Sequence, residues 1–447
     1  MKTSNHATHC TLITASQKNT VGLLTLIALF LCSFAVSTSA QNPVVSKIVP
    51  EKSFTIAPNV QTPIVLKTKP DAACDLHAVG TSDSRSMRFY ANGDGYVKIH
   101  ANAREGMEGR VQLDCSSKGQ IVRYPLHLLA SLTPTAEMPV PRSRIPIPKG
   151  SKVRPALTEA RAQSLTDDQL EKLGYPARPD VLGSPDMYAT WLDRVSGPMT
   201  LLPTHLVSRS DIRSAPVAYT SSNWSGLEAH RKFKHTYSAV GGSWNVPVIV
   251  VASSDGNTDY SSFWVGLDGD GTNDLVQAGT EQDAQEIGGI VYANYFAWSE
   301  LLPNQPTEQE VGSVNPGDEI EVEVWIGTGS GAPNPNGSLS SYRITNVTQG
   351  LEARFDIPLN GTFYHGTEAE WIMERPTVNG SLPELSAYLI ANMANANALQ
   401  VKGTKWVFCG TAANRNITMY NGKDVLSEAA WLGKGSNSII FQWFNFK

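Results

Sequence analysis

The stretch EIEVEVWIG (Glu319–Gly327) places apolar side chains at every second position. Its apolar positions are Ile320, Val322, Val324 and Ile326. This alternation is typical of a β-strand that buries one face and points Glu321 and Glu323 to the other. The turn sequence NPGD at 315–318 stands directly before it, so we predict that the chain enters the strand from a tight turn.

Short apolar runs of this kind recur from about Tyr219 to Lys447, and the chain ends with SIIFQWFNF at 438–446. Charged residues make up only 17% of the chain, and 36 Gly and 27 Pro supply turns, which favours a β protein over a helical one. Regular strands over roughly 230 residues predict a mainly β fold. Its main domain, residues 219–447, is expected to be a large two-sheet antiparallel β-sandwich of the lectin-like jelly-roll type.

Residues 1–40 have the form of a signal peptide. The apolar run Val21–Val36 follows Lys2 and Lys18 and precedes the small residues Ser37–Ala40, so we expect cleavage after Ala40. The alternative is an uncleaved N-terminal anchor. In either case we expect the rest of the chain to be extracytoplasmic, either secreted or periplasmic, and free of the membrane once the signal is removed.

Residues 41–132 are predicted to form a small β module, for which an immunoglobulin-like sandwich is the working model. The chain has five cysteines, and Cys10 and Cys32 would leave with the signal peptide. Cys74 and Cys115 are then the natural disulfide pair in an oxidising compartment. Cys409 remains, either as a nucleophile or as a buried inert thiol. Its strand-like run WVFCGTA has no nearby histidine, which favours the inert thiol.

Residues 133–218 are predicted to be a Pro-rich basic linker followed by a helical, propeptide-like segment. In LTDDQLEKLGYP (165–176), Thr166 and Gln169 have the spacing of a capping box. In SPDMYATWLDRV (184–195), Ser184 is the expected cap and is followed by proline at the first helical position.

Several chemistries are excluded by missing motifs. The chain has no Gly-x-Ser-x-Gly elbow, no His-Glu-x-x-His pair, no Asp-Thr-Gly or Asp-Ser-Gly turn, and no Cys/His cluster for zinc. DGDGTNDL (Asp268–Leu275) looks like a calcium loop, but its twelfth position is Gly279 rather than glutamate, which favours a turn between strands. We expect no metal and no cofactor. The net charge of −5 does not indicate a nucleic-acid-binding protein.

Carboxylates and amides on strands remain as candidates, a set that would also suit a glycosidase. The sandwich region contains six glycine-rich or tryptophan-containing segments. They are SSNWSG (221–226), VGGSWNVP (240–247), SSFWVGLDGDGTNDLVQAG (261–279), YFAWSELLP (295–303), VNPGDEIEVEV (314–324) and TEAEWIMERP (367–376). Taken together and in this order, they resemble the eqolisin family of glutamic peptidases. Residues 165–198 are similar to the region before the catalytic domain of prokaryotic members, and the resemblance covers nothing before about residue 150.

The resemblance implies that Gln277 and Glu370 are the catalytic residues. Glu368 and Glu374 compete with Glu370, because all three have the same parity along an extended strand. Only the family motif separates them.

The resemblance also implies that Trp264, Asp268 and Glu300 line the substrate cleft. Glu281 is also assigned to the substrate cleft, at a position where the family typically has aspartate. WSELLP (298–303) replaces the family's usual Tyr-Glu-Trp-Tyr-Pro.

The implied activity is that of a monomeric acid endopeptidase acting on polypeptides. Glu370 would take a proton from water and later donate it to the leaving nitrogen, while Gln277 would stabilise the oxyanion. The basic linker suggests a precursor in which residues ~133–215 cover the cleft at neutral pH through charge pairs. A lectin-like sandwich that binds carbohydrate or peptide without catalysis is the alternative.

Overall fold

The computed structural model describes residues 44–80, 85–181, 184–213, 220–231, 233, 236–253, 255–328, 333–400, 405–433 and 435–444. The predicted signal peptide, with Cys10 and Cys32, lies outside the described residues. No helix within the described ranges is long and apolar enough to cross a bilayer. Residues 43–447 form one compact unit.

The N-terminal module contains the first eight strands of the described structure. They are β1 Val44–Ile48, β2 Lys52–Ile56, β3 Thr62–Lys67, β4 Ala73–Ala78, β5 Met87–Tyr90, β6 Tyr96–Asn102, β7 Glu108–Ser117 and β8 Gln120–Ala130. One sheet has the order β1-β8-β7-β4-β5, and β2 also pairs with β8. Both β1 and β2 run parallel to β8, whereas the other pairs of this sheet are antiparallel. The Sγ atoms of Cys74 and Cys115 are bonded between β4 and β7.

The next segment is partly helical. Its elements are β9 Lys152–Arg154, α1 Glu159–Ser164, α2 Asp167–Lys172, α3 Pro185–Val195, β10 Met199–Leu201, β11 Val207–Ser208 and β12 Ile212–Arg213. The predicted capping box of α2 is confirmed, because the side chains and backbones of Thr166 and Gln169 bond reciprocally. Ser184 precedes α3 but makes no side-chain capping bond. Helix α1, which sequence reasoning missed, is capped by Thr158.

The main domain contains the remaining elements. They are β13 Thr220–Ser221, β14 Trp224–His230, β15 Tyr237–Asn245, β16 Asp259–Leu267, β17 Leu275–Ile287, β18 Ile290–Leu302, β19 Gln305–Ser313, β20 Glu319–Gly327, β21 Leu339–Asn346, β22 Leu351–Pro358, β23 Glu368–Glu374, β24 Thr377–Val378, β25 Ile390–Gln400, β26 Lys405–Phe408, α4 Cys409–Ala412, β27 Arg415–Asn421, β28 Asp424–Trp431 and β29 Ile439–Trp443. The stretch that opened the sequence analysis is strand β20, with the predicted bounds.

Two antiparallel sheets of this domain face each other, which confirms the predicted sandwich. The cleft sheet has the order β27-β14-β23-β16-β17-β18-β19. The back sheet has the order β22-β21-β20-β15-β25-β29-β28. The core between them contains Val265 and Trp371 from the cleft sheet and Val240 and Val322 from the back sheet. Short parallel pairs, β10 with β22 and β13 with β27, are exceptions to the antiparallel pattern.

The alternation in β20 suggested that its outer face is open to solvent, but the structure covers this face. Glu321 is buried and pairs with Arg194 of helix α3, while Glu323 pairs with Arg343. The helical segment therefore packs on the back sheet, so the sandwich has a third layer on that side.

Cys409 was predicted to lie on a strand, and this was wrong. It begins the short helix α4, directly after strand β26. The thiol is fully buried, and burial raises its pKa to about 12. A thiol that keeps its proton at physiological pH is not a nucleophile, so the prediction of an inert thiol agrees with the structure.

The N-terminal module is joined to the cleft sheet by backbone pairing. His100, Ala101 and Asn102 of β6 pair with residues Val291–Ala293 of β18. Ile290, from the turn of the β17–β18 hairpin, belongs to the module's own apolar core. The module and the hairpin thus share one hydrophobic core.

Candidate active site

The cleft sheet brings Gln277 and Glu370 into one cross-strand row. Gln277 of β17 is opposite Gly266 of β16, and Gly266 is opposite Glu370 of β23. Directly paired residues point to the same face of a sheet, so the two side chains share the outer face, opposite the sandwich core. Two strand spacings of about 4.8 Å separate their backbones.

Gly266, which separates these two residues in the row, is closely packed by its neighbours. A Cβ at this position would lie 2.8 Å from Trp264 Cζ3 and 3.3 Å from Gln277 Cβ. Leu275 Cδ1 would lie 3.1 Å from the same Cβ, so any larger residue would displace the Trp264 ring and Leu275 and press on Gln277.

Glu300 orients the Gln277 amide. It follows Gln277 in the same row, on β18, and Gln277 Nε2 donates a hydrogen bond of 2.6 Å to Glu300 Oε2. Both side chains are fully buried. Gln277 Oε1 has no hydrogen-bond partner among the described residues. The Glu300 contact fixes which end of the amide is nitrogen, because only an N–H can donate to a carboxylate.

Glu370 is fully buried, and neither of its oxygens has a hydrogen-bond partner in the described structure. Burial raises the pKa of Glu370 well above its usual value, and the negative charges of Glu228 and Glu368 raise it further. In this covered state the environment of Glu370 favours its protonated form.

The two competitors of Glu370 have partners. Glu368 Oε1 lies 2.7 Å from His230 Nδ1, and Glu374 Oε2 accepts a 2.8 Å hydrogen bond from Trp264 Nε1. Strand parity does not distinguish the three glutamates, but their contacts do. Of the three, only Glu370 shares the Gln277 row and has both oxygens without a hydrogen bond.

The other predicted cleft residues occupy distinct places. Trp264 and Glu281 are fully buried on the outer face of the cleft sheet. Asp268, in the loop after β16, accepts hydrogen bonds of 2.7–2.9 Å from the backbone N–H groups of residues 365–367. Its carboxylate therefore clamps the segment that leads into β23. The calcium-like loop is a turn between β16 and β17, as its sequence favoured.

Sequence reasoning missed Glu228 and Arg415. Glu228 of β14 continues the Gln277 row beyond Glu370, and Arg415 of β27 is the next residue in it. Arg415 Nη1 lies 2.8 Å from Glu228 Oε1 and also bonds Asp270. Ligand-type atoms of Glu228, His230 and Asp270 lie within 4.8 Å of one another, but the Arg415 guanidinium already supplies positive charge there. Only the strand register reveals this cluster, since its members are distant in sequence.

A segment that precedes the main domain lies over the outer face. Strand β11 pairs with β19, and Ile212 joins an apolar cluster with Trp264 and Trp298. Between them, Arg209 is 1% exposed. Its guanidinium lies 4.2 Å from the Phe296 ring centroid.

Carboxylates surround the Arg209 guanidinium. Its nearest polar contact is 3.4 Å, to Glu310 Oε2, and Asp283 Oδ2 and Asp211 Oδ1 lie 3.9 Å away. Burial alone would lower the pKa of Arg209, but these three carboxylates raise it above its usual value, so the group stays charged. The covering segment is thus fastened to the cleft by one buried cation.

A β-sandwich with a carboxyl and an amide in one row of its outer face fits the class of glutamic peptidases. Residues 222–441 match the model of the Peptidase A4 family. This part of the chain belongs to that family, the eqolisins, and the protein is an endopeptidase.

Solved structures and curated sequences were also compared. Scytalido-glutamic peptidase, crystallised with a peptide-based transition state analog, is 18% identical, with a TM-score of 0.39, and the match covers 50% of this chain and 98% of that one. SCP-B, an eqolisin in complex with the tripeptide Ala-Ile-His, is 18% identical, with a TM-score of 0.37 and the same coverage. A comparison with curated proteins gave no match.

Proposed function

We propose that the protein is an exported acid endopeptidase that hydrolyses peptide bonds with Glu370 and Gln277. The observation that carries the proposal is their shared row with only Gly266 between them. Glu370 in its ionised form takes a proton from water, and the hydroxide adds to the scissile carbonyl. The Gln277 amide N–H stabilises the oxyanion, and Glu370 then donates its proton to the leaving nitrogen as the C–N bond breaks.

The raised pKa of Glu370 describes the covered state. Its first cause is burial, which is relieved when the covering segment leaves and water enters the cleft. The carboxyl can then ionise in acidic medium and serve as a base. An acidic working range follows, because the same group must afterwards protonate an amine leaving group.

We further propose that the chain is made as a precursor. Arg209 and Ile212 occupy the outer face that a substrate must reach. Burial raises the pKa of Asp283 to about 7, although the Arg209 charge opposes the rise. As the pH falls through this value, Asp283 becomes neutral and one ion pair of the covering segment is lost. Acidification therefore weakens the electrostatic hold of Arg209 on the cleft, which favours release, while protonation of the buried Asp283 carboxyl itself favours the covered state; the two effects oppose each other.

The test uses the full chain at about pH 3–4 with denatured protein as substrate. Gln277→Ala should lower kcat by roughly 10²–10³-fold, the usual effect of losing one oxyanion donor. The control is Gln285→Ala, since Gln285 lies on the same strand and donates instead to the Gly256 carbonyl. Equal activity of wild type and Gln277→Ala would remove the mechanism. Glycan binding without hydrolysis at any pH would favour the lectin-like alternative.

A further inference from the structure

Glu228 lies directly across the strand pair from Glu370. The two are register partners in the antiparallel β14–β23 ladder, and both are fully buried. Directly opposite residues have Cβ atoms about 4.5–5.5 Å apart, and two like charges in such a pair repel each other. Two carboxyls in this position interact strongly and titrate as a coupled pair.

The two carboxyls have unequal surroundings. Glu228 Oε1 is held by Arg415 at 2.8 Å, while Glu228 Oε2 has no hydrogen-bond partner among the described residues. Within the described ranges, neither oxygen of Glu370 has a hydrogen-bond partner. Arg415 favours the ionised form of Glu228, so Glu228 is the first of the two to lose its proton and Glu370 keeps its own. Glu228 Oε2 is then a nearby oxygen available to accept that proton.

Other charged groups face this pair from each neighbouring element. Glu368 of β23 and His230 of β14 contact each other at 2.7 Å, and His230 Nδ1 is also 3.3 Å from Glu228 Oε1. Asp270, from the loop after β16, shares Arg415 with Glu228. Asp268 is engaged by the backbone of residues 365–367.

We propose that Glu228 is the proton partner of Glu370, so that the catalytic carboxyl works as one half of a Glu228–Glu370 dyad. This rests on the proposed function. In the priming step the Glu370 carboxylic acid gives its proton to Glu228 Oε2, which leaves Glu370 ionised and Glu228 neutral. Glu370 then takes a proton from water and passes it to the leaving nitrogen, which returns it to the ionised form. Glu228 thus keeps the priming proton throughout turnover, while the proton that Glu370 takes from water passes to the leaving nitrogen.

The pKa shifts agree with this geometry. Burial and, after it, the charge of Asp270 raise the pKa of Glu228 to about 8, although Arg415 opposes the rise. Among the charged groups, Glu228 makes the largest contribution to the raised pKa of Glu370. Opening the cleft relieves burial for both groups. Their mutual repulsion and the Arg415 contact then determine which of the two carboxyls ionises first.

The test is a pH titration of the glutamate side-chain carboxyl signals by NMR, on the full chain labelled with ¹³C at that carbon. Signals are assigned with Glu228→Gln and Glu370→Gln. In Glu228→Gln, the pKa of Glu370 should fall by at least about one unit, because a like charge is gone. The matched control is Glu374→Gln, which removes a buried glutamate from the same strand and face and should leave Glu370 unchanged. Equal shifts in both variants would overturn the dyad.

A second readout is the pH dependence of kcat/KM. The acid limb of Glu228→Gln should move to lower pH with Glu370, whereas a merely structural residue would change stability and leave the limb in place. If the NMR titration shows coupling but the acid limb of the kcat/KM profile stays in place, the proposed proton transfer would be overturned. If Glu228→Gln does not fold, Arg415→Met serves instead: Glu228 should then keep its proton to higher pH, and Glu370 should ionise first. A wild type without hydrolysis at any pH would refute the proposed function, while the NMR titration would still decide the coupling.

Discussion

Gln277 and Glu370 share one row of the cleft sheet, and the residue between them, Gly266, has no side chain. Strand register alone therefore sets the distance between the amide and the carboxyl. Neither residue lies on a loop, so their separation is fixed by backbone hydrogen bonds on two flanking ladders. A site built in this way is rigid before substrate arrives.

Gly266→Ala should remove most activity. The added methyl would lie 2.8 Å from the Trp264 ring and 3.3 Å from Gln277 Cβ, so both side chains must shift. A displacement of this size commonly costs about 10²-fold in rate. Steady-state kinetics and thermal unfolding should be measured together. Gly312→Ala is the control, because an added Cβ there meets no atom within 4 Å; full activity of Gly266→Ala would show that the packing around Gly266 does not position Gln277 for the reaction.

Glu300→Leu should lower kcat with little change in KM. The variant removes the acceptor that holds Gln277 Nε2 at 2.6 Å, so the amide can rotate and present its oxygen to the oxyanion. Glu300→Gln keeps an acceptor oxygen at the same place and should retain more activity than Glu300→Leu. We expect a loss of about tenfold or more for the leucine variant, because an oxyanion donor is misplaced. Identical kinetics for both variants would show that Glu300 does not orient Gln277.

Acidification should stabilise the fold. Burial raises the pKa values of Asp259 and Asp283 to about 7, and the same cause raises those of Glu281 and Glu308 well above the usual value. A carboxyl whose pKa is higher in the folded state stabilises the fold, and this contribution is complete at pH values below the pKa that the group has in the unfolded chain. That contribution is lost as the pH rises through the folded value, here about 7 for the two aspartates. Tm should therefore be several degrees higher at about pH 5 than at about pH 8.

The stability measurement is best made in the Gln277→Ala background, which prevents self-digestion. Glu308→Gln should flatten the pH dependence, since it replaces a buried titrating group with a neutral one of the same shape. A Tm that rises steadily from pH 5 to pH 8 would refute the expected sign.

Arg209→Met should release the covering segment more readily. The variant keeps apolar contact with Phe296 but removes the cation that pairs with Glu310 and Asp283. Activation on acidification should be about tenfold faster, equivalent to a loss of about 1.4 kcal/mol, and should begin at higher pH. The control is Arg178→Met, which breaks an exposed ion pair with Asp167. Unchanged activation kinetics in Arg209→Met would mean that the segment is held by other contacts.

The strands were predictable because their periodicity is local. Glu319–Gly327 alternates with period two and is a strand with those bounds, and the Thr166 capping box forms as its spacing indicates. The choice of Glu370 over Glu368 and Glu374 came from the family motif. The structure adds a physical distinction, namely their different hydrogen-bond partners.

The charge cluster around Glu370 was not predictable from sequence. Glu228 and Arg415 are separated from it by long stretches of chain, and only the order β27-β14-β23 makes them neighbours. The sequence likewise suggested that a basic segment covers the cleft, but not that Arg209 would be its buried cation. Helix α4 was missed because the strand-like run before Cys409 is four residues long and carries no helix-start signal.

The shared edge between β6 and β18 bears on how the precursor could be trimmed. Removing everything before residue 219 would leave Val291–Ala293 without its partner strand and would expose Ile290. An unpaired strand edge of this kind is prone to self-association. A cut in the connecting segment without loss of the module avoids this. A precursor cut in this way would remain a nicked, two-chain molecule held together by its sheet.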